Sequence, residues 1–310
     1  MSLPASHTVQ RCPDPSMRAP LAGGIERPHS RLYLAPPALQ GAVVAIVCRD
    51  TRGYALTDAQ RLTHFPAVPV VTLSWFVGGC MGMIEGGPEA PMWRRLETAF
   101  ALSGSQSRPT TAWTPDCGRI GMICFDVDAA RALFRIDLSV IQDTVVPAEP
   151  LLGPDWRAFF DALLAAQTDD ATLYAIQQHL AAPWRQARAG SARSPLREAG
   201  RYWVERLVWK AREWGRTHSP RQVERRIKAF SGRSLREWQT LIKTESLFFS
   251  ARERYETGQA LDWAALAQDE GFADQAHLSR AVKRTTGFSP TEFVQRFAED
   301  ESFWMYRLWV

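Results

Sequence analysis

Between residues 32 and 127, apolar and β-branched positions come in short runs of strand length. Ala42–Cys48, Pro69–Val77, Glu97–Leu102 and Ile120–Phe125 are such runs, separated by clusters of Gly, Pro and Ser. They predict a β-rich first half. Beyond Val127 the period lengthens. Asp128 is placed to N-cap a short helix over Ala129–Phe134. Trp156–Ala166 and Ala171–Leu180 then show helical spacing. Trp156, Phe159, Phe160, Leu163 and Leu164 fall on one stripe, read as core or dimer face. Residues 1–29 are Pro-rich, without periodicity, and read as a flexible leader. Residues 183–195, PWRQARAGSARSP, have the composition of a linker. The pattern divides the chain into a leader (1–29), an N-terminal domain (30–182), a linker (183–196), a C-terminal domain (197–298) and an aromatic tail (299–310). The tail is too apolar to stand free in water. It is expected to dock on its own protein, with a dimer contact or a lid over the C-terminal domain as the sharper alternatives.

The C-terminal domain repeats itself at an offset of 55 residues. Ser219–Trp238 reads SPRQVERRIKAFSGRSLREW and Asp274–Phe293 reads DQAHLSRAVKRTTGFSPTEF. The pairs Arg225/Arg280, Lys228/Lys283, Gly232/Gly287, Ser234/Ser289 and Glu237/Glu292 are identical. Ser219/Asp274, Val223/Leu278, Ile227/Val282 and Trp238/Phe293 keep their character. Each match has a physical meaning. Ser219 and Asp274 can N-cap a helix. Val223 and Ile227, like Leu278 and Val282, lie four apart and share a buried face. Gly232 and Gly287 suit a left-handed stop. Ser234-Leu-Arg-Glu237 and Ser289-Pro-Thr-Glu292 are capping boxes that open a further helix.

A helix precedes each copy. Asp262 can cap Trp263–Glu270, and Gly271-Phe272 follows as a tight, plugged turn. That order, helix, glycine turn, helix, is helix-turn-helix grammar. In the first copy the front helix is expected over Tyr202–Trp214, with the turn Gly215-Arg-Thr-His218 carrying its glycine early. Between the copies, Leu235–Glu256 has an apolar stripe and reads as one long joining helix of about 33 Å, against about 34 Å for one turn of DNA. The fold class is therefore α+β: a β-rich domain, then an all-α domain with two helix-turn-helix units joined by a long helix.

Charge sharpens this picture. The net charge of +4 over 310 residues is mild. Its distribution is not: residues 1–196 carry 17 Lys/Arg against 17 Asp/Glu, and residues 197–297 carry 19 against 13. A basic domain beside a neutral one fits a polyanionic partner. The outward face of each repeated helix holds the residues that such a partner would meet. In the first copy these are Pro220, Arg221, Glu224, Arg225 and Lys228; in the second, Gln275, Ala276, Ser279, Arg280 and Lys283, with Arg284 beside them. Arg, Gln and Ser near a helix N-terminus are base-reading side chains, and Lys or Arg near its end suit phosphates.

Other chemistry finds little footing. No apolar run approaches the roughly 20 residues of a membrane span. The opening segment lacks the apolar stretch of a secretory signal, so a cytoplasmic protein is expected. Five cysteines form no C-x-x-C pair; Cys48 and Cys124 read as buried thiols, and a Cys80/Cys117/Cys124 site has no supporting ligand spacing. Gly78-Gly79 and Gly86-Gly87 are not followed by Gly-Lys-Ser/Thr, so no phosphate loop is read. His64, His179 and His218 show no triad pattern, and His277 is assigned to packing or phosphate contact. Trp75, Trp93 and Trp113 are candidates to line a ligand pocket, with core packing preferred. No catalytic residue, metal or cofactor is expected, and the chain is not read as an enzyme.

The second copy resembles the DNA-binding signature of the AraC/XylS family of bacterial transcription regulators. The resemblance rests on Leu266-Ala267, Gly271-Phe272-Ala273-Asp274, His277-Leu278-Ser279-Arg280, Lys283-Arg284, Gly287 and Ser289-Pro290. It covers about residues 200–297. It implies base-facing roles for Arg221, Glu224, Arg225, Gln275, Ala276, Ser279 and Arg280. Two positions depart from an ordinary reading face: Ala276 offers only a contact to a thymine methyl, and Glu224 needs a cytosine amino group or pairs with Arg225 or Lys228. The bulky Leu247-Phe248-Phe249 of the joining helix departs as well. Gly104–Phe134 is similar to a poorly characterised domain found upstream of such regions. The implied function is a sequence-specific transcription regulator modulated at its N-terminal domain. A constitutive regulator or a protein-interaction module is the alternative. The implied partner is promoter DNA, with a small-molecule effector, a second copy of the chain and RNA polymerase as further candidates.

Overall fold

The structure is a computed structural model. It describes residues 13–21, 28–86, 90–187, 199–243, 254, 263–269, 272 and 274–309. The fold is α+β, with a β-rich N-terminal half and a helical C-terminal half.

Among the described residues, ten strands form two antiparallel sheets. They are β1 (His29–Leu34), β2 (Val43–Asp50), β3 (Leu62–Phe65), β4 (Val71–Val77), β5 (Gly82–Glu85), β6 (Met92–Arg95), β7 (Phe100–Ser103), β8 (Thr110–Trp113), β9 (Arg119–Phe125) and β10 (Val145–Pro147). The larger sheet has the order β1-β2-β9-β4-β7-β10, and the smaller β3-β8-β5-β6. Four of these strands were legible as apolar runs. Short, half-exposed strands such as Met92–Arg95 and Thr110–Trp113 were not, because a polar outer face leaves too few apolar positions to show a period.

Strand alternation decides where each side chain goes. Ile46, Ile123, Leu73 and Leu102 stand opposite one another across β2, β9, β4 and β7, all on one buried face. The neighbouring row, Val47, Met122, Ser74 and Ala101, turns to the other side, toward the small sheet. The first face is covered by α1 (Val127–Phe134), α3 (Arg157–Ala165) and α4 (Asp169–Ala187), with α2 (Ala148–Leu152) beside β7. Phe159 and Leu163, predicted on one stripe, are core here and not a dimer face.

Three expectations are corrected. The cap of α1 is Asp126, not Asp128: its carboxylate accepts from the backbone N–H of Asp128 (3.0 Å) and Ala129 (3.2 Å), so the helix begins at Val127. The leader is not free throughout. Residues 13–21 lie against the far end of the chain, with the Leu21 N–H donating to the Glu299 carbonyl (3.1 Å) and the Glu301 N–H to that of Ala19 (2.6 Å). The presumed linker starts later than composition implied, since Pro183 sits inside α4, which runs to Ala187. Residues 188–198 lie outside the described residues.

The C-terminal half contains α5 (Ala199–Gly215), α6 (Pro220–Ser231), α7 (235–243), α8 (Trp263–Asp269), α9 (Gln275–Thr286), α10 (Pro290–Glu299) and α11 (Trp304–Trp309). The two halves share their cores. Trp203, Leu207, Ile227, Trp238 and Leu241 continue the core of the helix-covered face, whereas Leu266, Leu278, Val282, Phe293 and Tyr306 join Val44, Val70 and Cys124 of the β-rich half. Asp262, Gly271, Leu247-Phe248-Phe249 and the later part of the joining helix lie outside the described residues.

Candidate nucleic-acid interface

The duplication seen in the sequence recurs in the backbone. The helices α6 and α9 each have 12 residues. At their starts, the Ser219 N–H donates to Gln222 Oε1 (2.9 Å), and Asp274 Oδ1 accepts from the His277 N–H (2.6 Å). Both stop at a left-handed glycine, Gly232 at φ +80° and Gly287 at φ +86°. The N–H of each glycine donates to Lys228 or Lys283 at 2.8 Å. Ser289 then caps α10 by accepting from the Glu292 N–H, and Ser234 opens α7 against Glu237. The alternation of capping side chain and left-handed stop is what sequence spacing predicted.

One face of each helix is buried. Ile227 is buried in the first unit, with Val223 and Phe230 half-buried; Leu278, Ala281 and Val282 are buried in the second. Phe230 stacks on Trp203 at 6.1 Å, and Trp203 meets Trp238 edge-on at 5.6 Å. The front helix α5 packs on α6, and α8 on α9, which gives two helix-turn-helix units.

The opposite face carries the predicted contacts. Arg221, Glu224, Arg225, Lys228, Gln275, Ala276, Arg280, Lys283 and Arg284 are all exposed, and Ser279 is half-buried. No carboxylate among the described residues is in ion-pair contact with Arg221, Arg225, Lys228, Arg280, Lys283 or Arg284. Glu224 likewise pairs with neither Arg225 nor Lys228. These cations are exposed to solvent, while the buried Arg49, Arg119, Arg233 and Arg296 are each paired with a carboxylate. His277 packs edge-on against Phe272 at 5.3 Å.

Sequence reasoning missed a pair of hydroxyls that shapes both units. Ser231 Oγ lies 2.7 Å from the Ile227 carbonyl and 2.9 Å from that of Arg233, and it accepts from Trp238 Nε1 at 3.0 Å. Thr286 Oγ1 lies 2.8 Å from the Val282 carbonyl and accepts from the Phe288 N–H at 3.1 Å. The signal was a Ser/Thr match in the residue before each glycine. Arg233 was missed too. It is buried and docks the first unit on the N-terminal half, donating to Ser105 Oγ (2.9 Å) and the Ser105 carbonyl (2.6 Å) and pairing with Asp143. The second unit docks through the Ala67 N–H, which donates to the Thr285 carbonyl (2.9 Å), and through His64, whose ring lies 5.3 Å from that of Phe288.

Other sites named from sequence resolve as structure. Trp75, Trp93 and Trp113 line no cavity between the sheets; Trp113 is buried, with Trp93 edge-on at 5.4 Å. Burial pushes the thiols of Cys48 and Cys124 up to about 12, which leaves them unreactive. Cys80 and Cys117 are half-buried, and no group of three metal-ligating side chains occurs among the described residues. No helix among the described residues is long and apolar enough to cross a membrane.

No family model matches the chain, and no curated protein does. Solved structures do. ToxT from Vibrio cholerae is similar at 12% identity over 87% of this chain and 98% of its own, with a TM-score of 0.36. ToxT with a bound unsaturated fatty acid is 11% identical over 76% and 93%, with a TM-score of 0.37. The AraC-like transcriptional activator CuxR is 9% identical over 87% and 84%, with a TM-score of 0.19.

Proposed function

We propose that the chain is a sequence-specific, DNA-binding transcription regulator of the AraC type, acting in the bacterial cytoplasm. The C-terminal half reads the duplex and the β-rich half receives a signal. One observation carries the reading: two 12-residue helices with equivalent ends, 55 residues apart, each offering an outward face of exposed cations that form no ion pair among the described residues. Exposed charges contribute little to stability, so two equivalent faces of exposed cations are better explained by a partner than by the fold. They suit a phosphate backbone.

The roles follow from the side chains. Lys228, Lys283 and Arg284, toward the helix ends, anchor phosphates. Arg221, Arg225 and Arg280 can each offer paired donors to guanine O6 and N7, and Gln275 a donor and acceptor to adenine. Glu224 accepts from a cytosine amino group, Ser279 bonds either base, and Ala276 meets a thymine methyl. A monomer carrying both units can span two groove segments.

Selection of preferred duplexes from a random pool, done with the full chain and with Arg225→Ala and Arg280→Ala, tests this. Each variant should lose preference at one base position, by about 1–3 kcal/mol, and the two positions should fall in different half-sites. Uniform weakening across all sequences would make both arginines phosphate contacts and remove the base-reading assignment.

A further inference from the structure

Between the two sheets lies a partly open cavity of about 110 Å³. Its walls are residues of both sheets, such as Met83, Thr110 and Ala112 from the smaller and Ser74, Ala101 and Met122 from the larger. Every residue lining it is uncharged. An apolar cavity of about 150 Å³ takes up benzene; this space is smaller but partly open, which gives it the scale of a single small ring.

One wall comes from elsewhere. At one side of the cavity, β1 and β3 are edge strands of the two sheets. The segment Glu301–Leu308 lies across both edges, and its Trp304 and Met305 line the cavity. It is held firmly. The Arg49–Glu301 ion pair (2.9 Å) is buried, the Arg49 guanidinium lies 4.5 Å from the Trp304 ring, and Trp304 Nε1 donates to Thr63 Oγ1 at 3.0 Å. The same segment belongs to the second unit. It follows α10 directly, and Tyr306 meets Phe293 of that helix edge-on at 5.0 Å.

We propose that this cavity is a binding site for a small, uncharged, apolar molecule, and that the chain's own C-terminal strap forms its wall. Occupancy therefore reaches the second helix-turn-helix unit through Met305 and Trp304. The inference rests on the reading of the N-terminal half as the signal-receiving part. It names the ligand class and the element that carries the signal. A carboxylate or an ammonium ion would find hydroxyls but no counter-charge in the lining and would lose hydration, so the lining disfavours charged ligands. An uncharged molecule gains from leaving water, at about 25 cal/mol per Å² of apolar surface buried.

Methionines supply the test. Met83, Met122 and Met305 line the cavity, whereas Met17 and Met92 are exposed. The full chain, labelled with ¹³C at the methionine methyls, is titrated with toluene, and separately with benzoate and benzylammonium. Toluene should move the Met122 and Met305 signals together and leave Met17 and Met92 in place; the two ions should move none. Movement of Met122 without Met305 would remove the strap from the wall. An equal response to benzoate or benzylammonium would overturn the ligand class, and no response to toluene would overturn the site. Duplex affinity measured with and without saturating toluene should differ at least about fivefold. An unchanged affinity would refute the coupling. Because the methionine signals are read without DNA, failure of the site and failure of the DNA-binding reading are told apart.

Discussion

Arg225 lies within α6 and Arg233 just past its glycine stop, yet they do opposite work. Arg225 is exposed and carries its charge into solvent, while Arg233 is buried and pairs with Asp143 at 2.9 Å. In the sequence both are surface-compatible cations, and only the fold, which brings Asp143 and Ser105 to Arg233, separates them. The same holds for Asp126 and Asp128, where backbone geometry decides which carboxylate caps. His64 is a residue whose role no motif announced. It is fully enclosed by the strands and by Phe288 and Phe303, with Nδ1 3.1 Å from Thr111 Oγ1. Burial, with the nearby Arg296, pushes its pKa down from 6.5 to about 3. In the unfolded chain it takes up a proton near pH 6.5, and in the folded one it does not. The unfolded state therefore binds more protons between these values, so stability is fully present above pH 6.5 and falls as the pH drops toward 3. The slope from this group is about 1.4 kcal/mol per pH unit. Urea titrations at pH 7.5, 6 and 5 should show that loss. His64→Asn, which keeps a partner for Thr111, should flatten the dependence by one proton's worth; an unchanged slope would place the His64 ring in water.

At the scale of elements, the repeat was the most legible part of the chain, because caps and left-handed stops are local. Ser219, Gly232, Asp274, Gly287 and Ser289 fulfil in the backbone what their spacing predicts. The small sheet was hidden, since β3 pairs with β8, far along the chain, and β6 is largely exposed and shows no apolar period. The two glycines are equivalent in sequence but not in surroundings. A side chain at Gly232 would run into the Gln142 side chain, whereas one at Gly287 reaches only Pro109 at 3.5 Å. Gln142 is itself held by Ser105 and the Ser231 carbonyl. Both Gly→Ala substitutions should destabilise, by about 1 kcal/mol or more, because a left-handed backbone disfavours a Cβ. Gly232→Ala should cost more, since Gln142 must give up its bonds. Denaturant midpoints measured on the two variants decide this, and equal midpoints would mean that the first unit is not docked through Gln142.

At the scale of the molecule, the sequence suggested two domains joined by a linker, and the packing is closer than that. Each helix-turn-helix unit shares a core with a different part of the β-rich half. The tail, expected to dock on its own protein, does so between the edges of two sheets and not over the reading face. Such docking depends on surfaces that only the complete fold creates, which is why aromatic content alone placed the tail on the protein but not at a site. The arrangement leaves both outward faces of α6 and α9 open. The central claim is that these faces bind duplex DNA. The direct measurement is the affinity of the purified full chain for duplex fragments taken from upstream of its own and neighbouring genes, at rising salt. Three phosphate anchors alone predict a slope of log K against log salt of about −3 or steeper. One fragment should be preferred over random DNA by at least about 10³. No binding to any duplex at low salt would contradict the account.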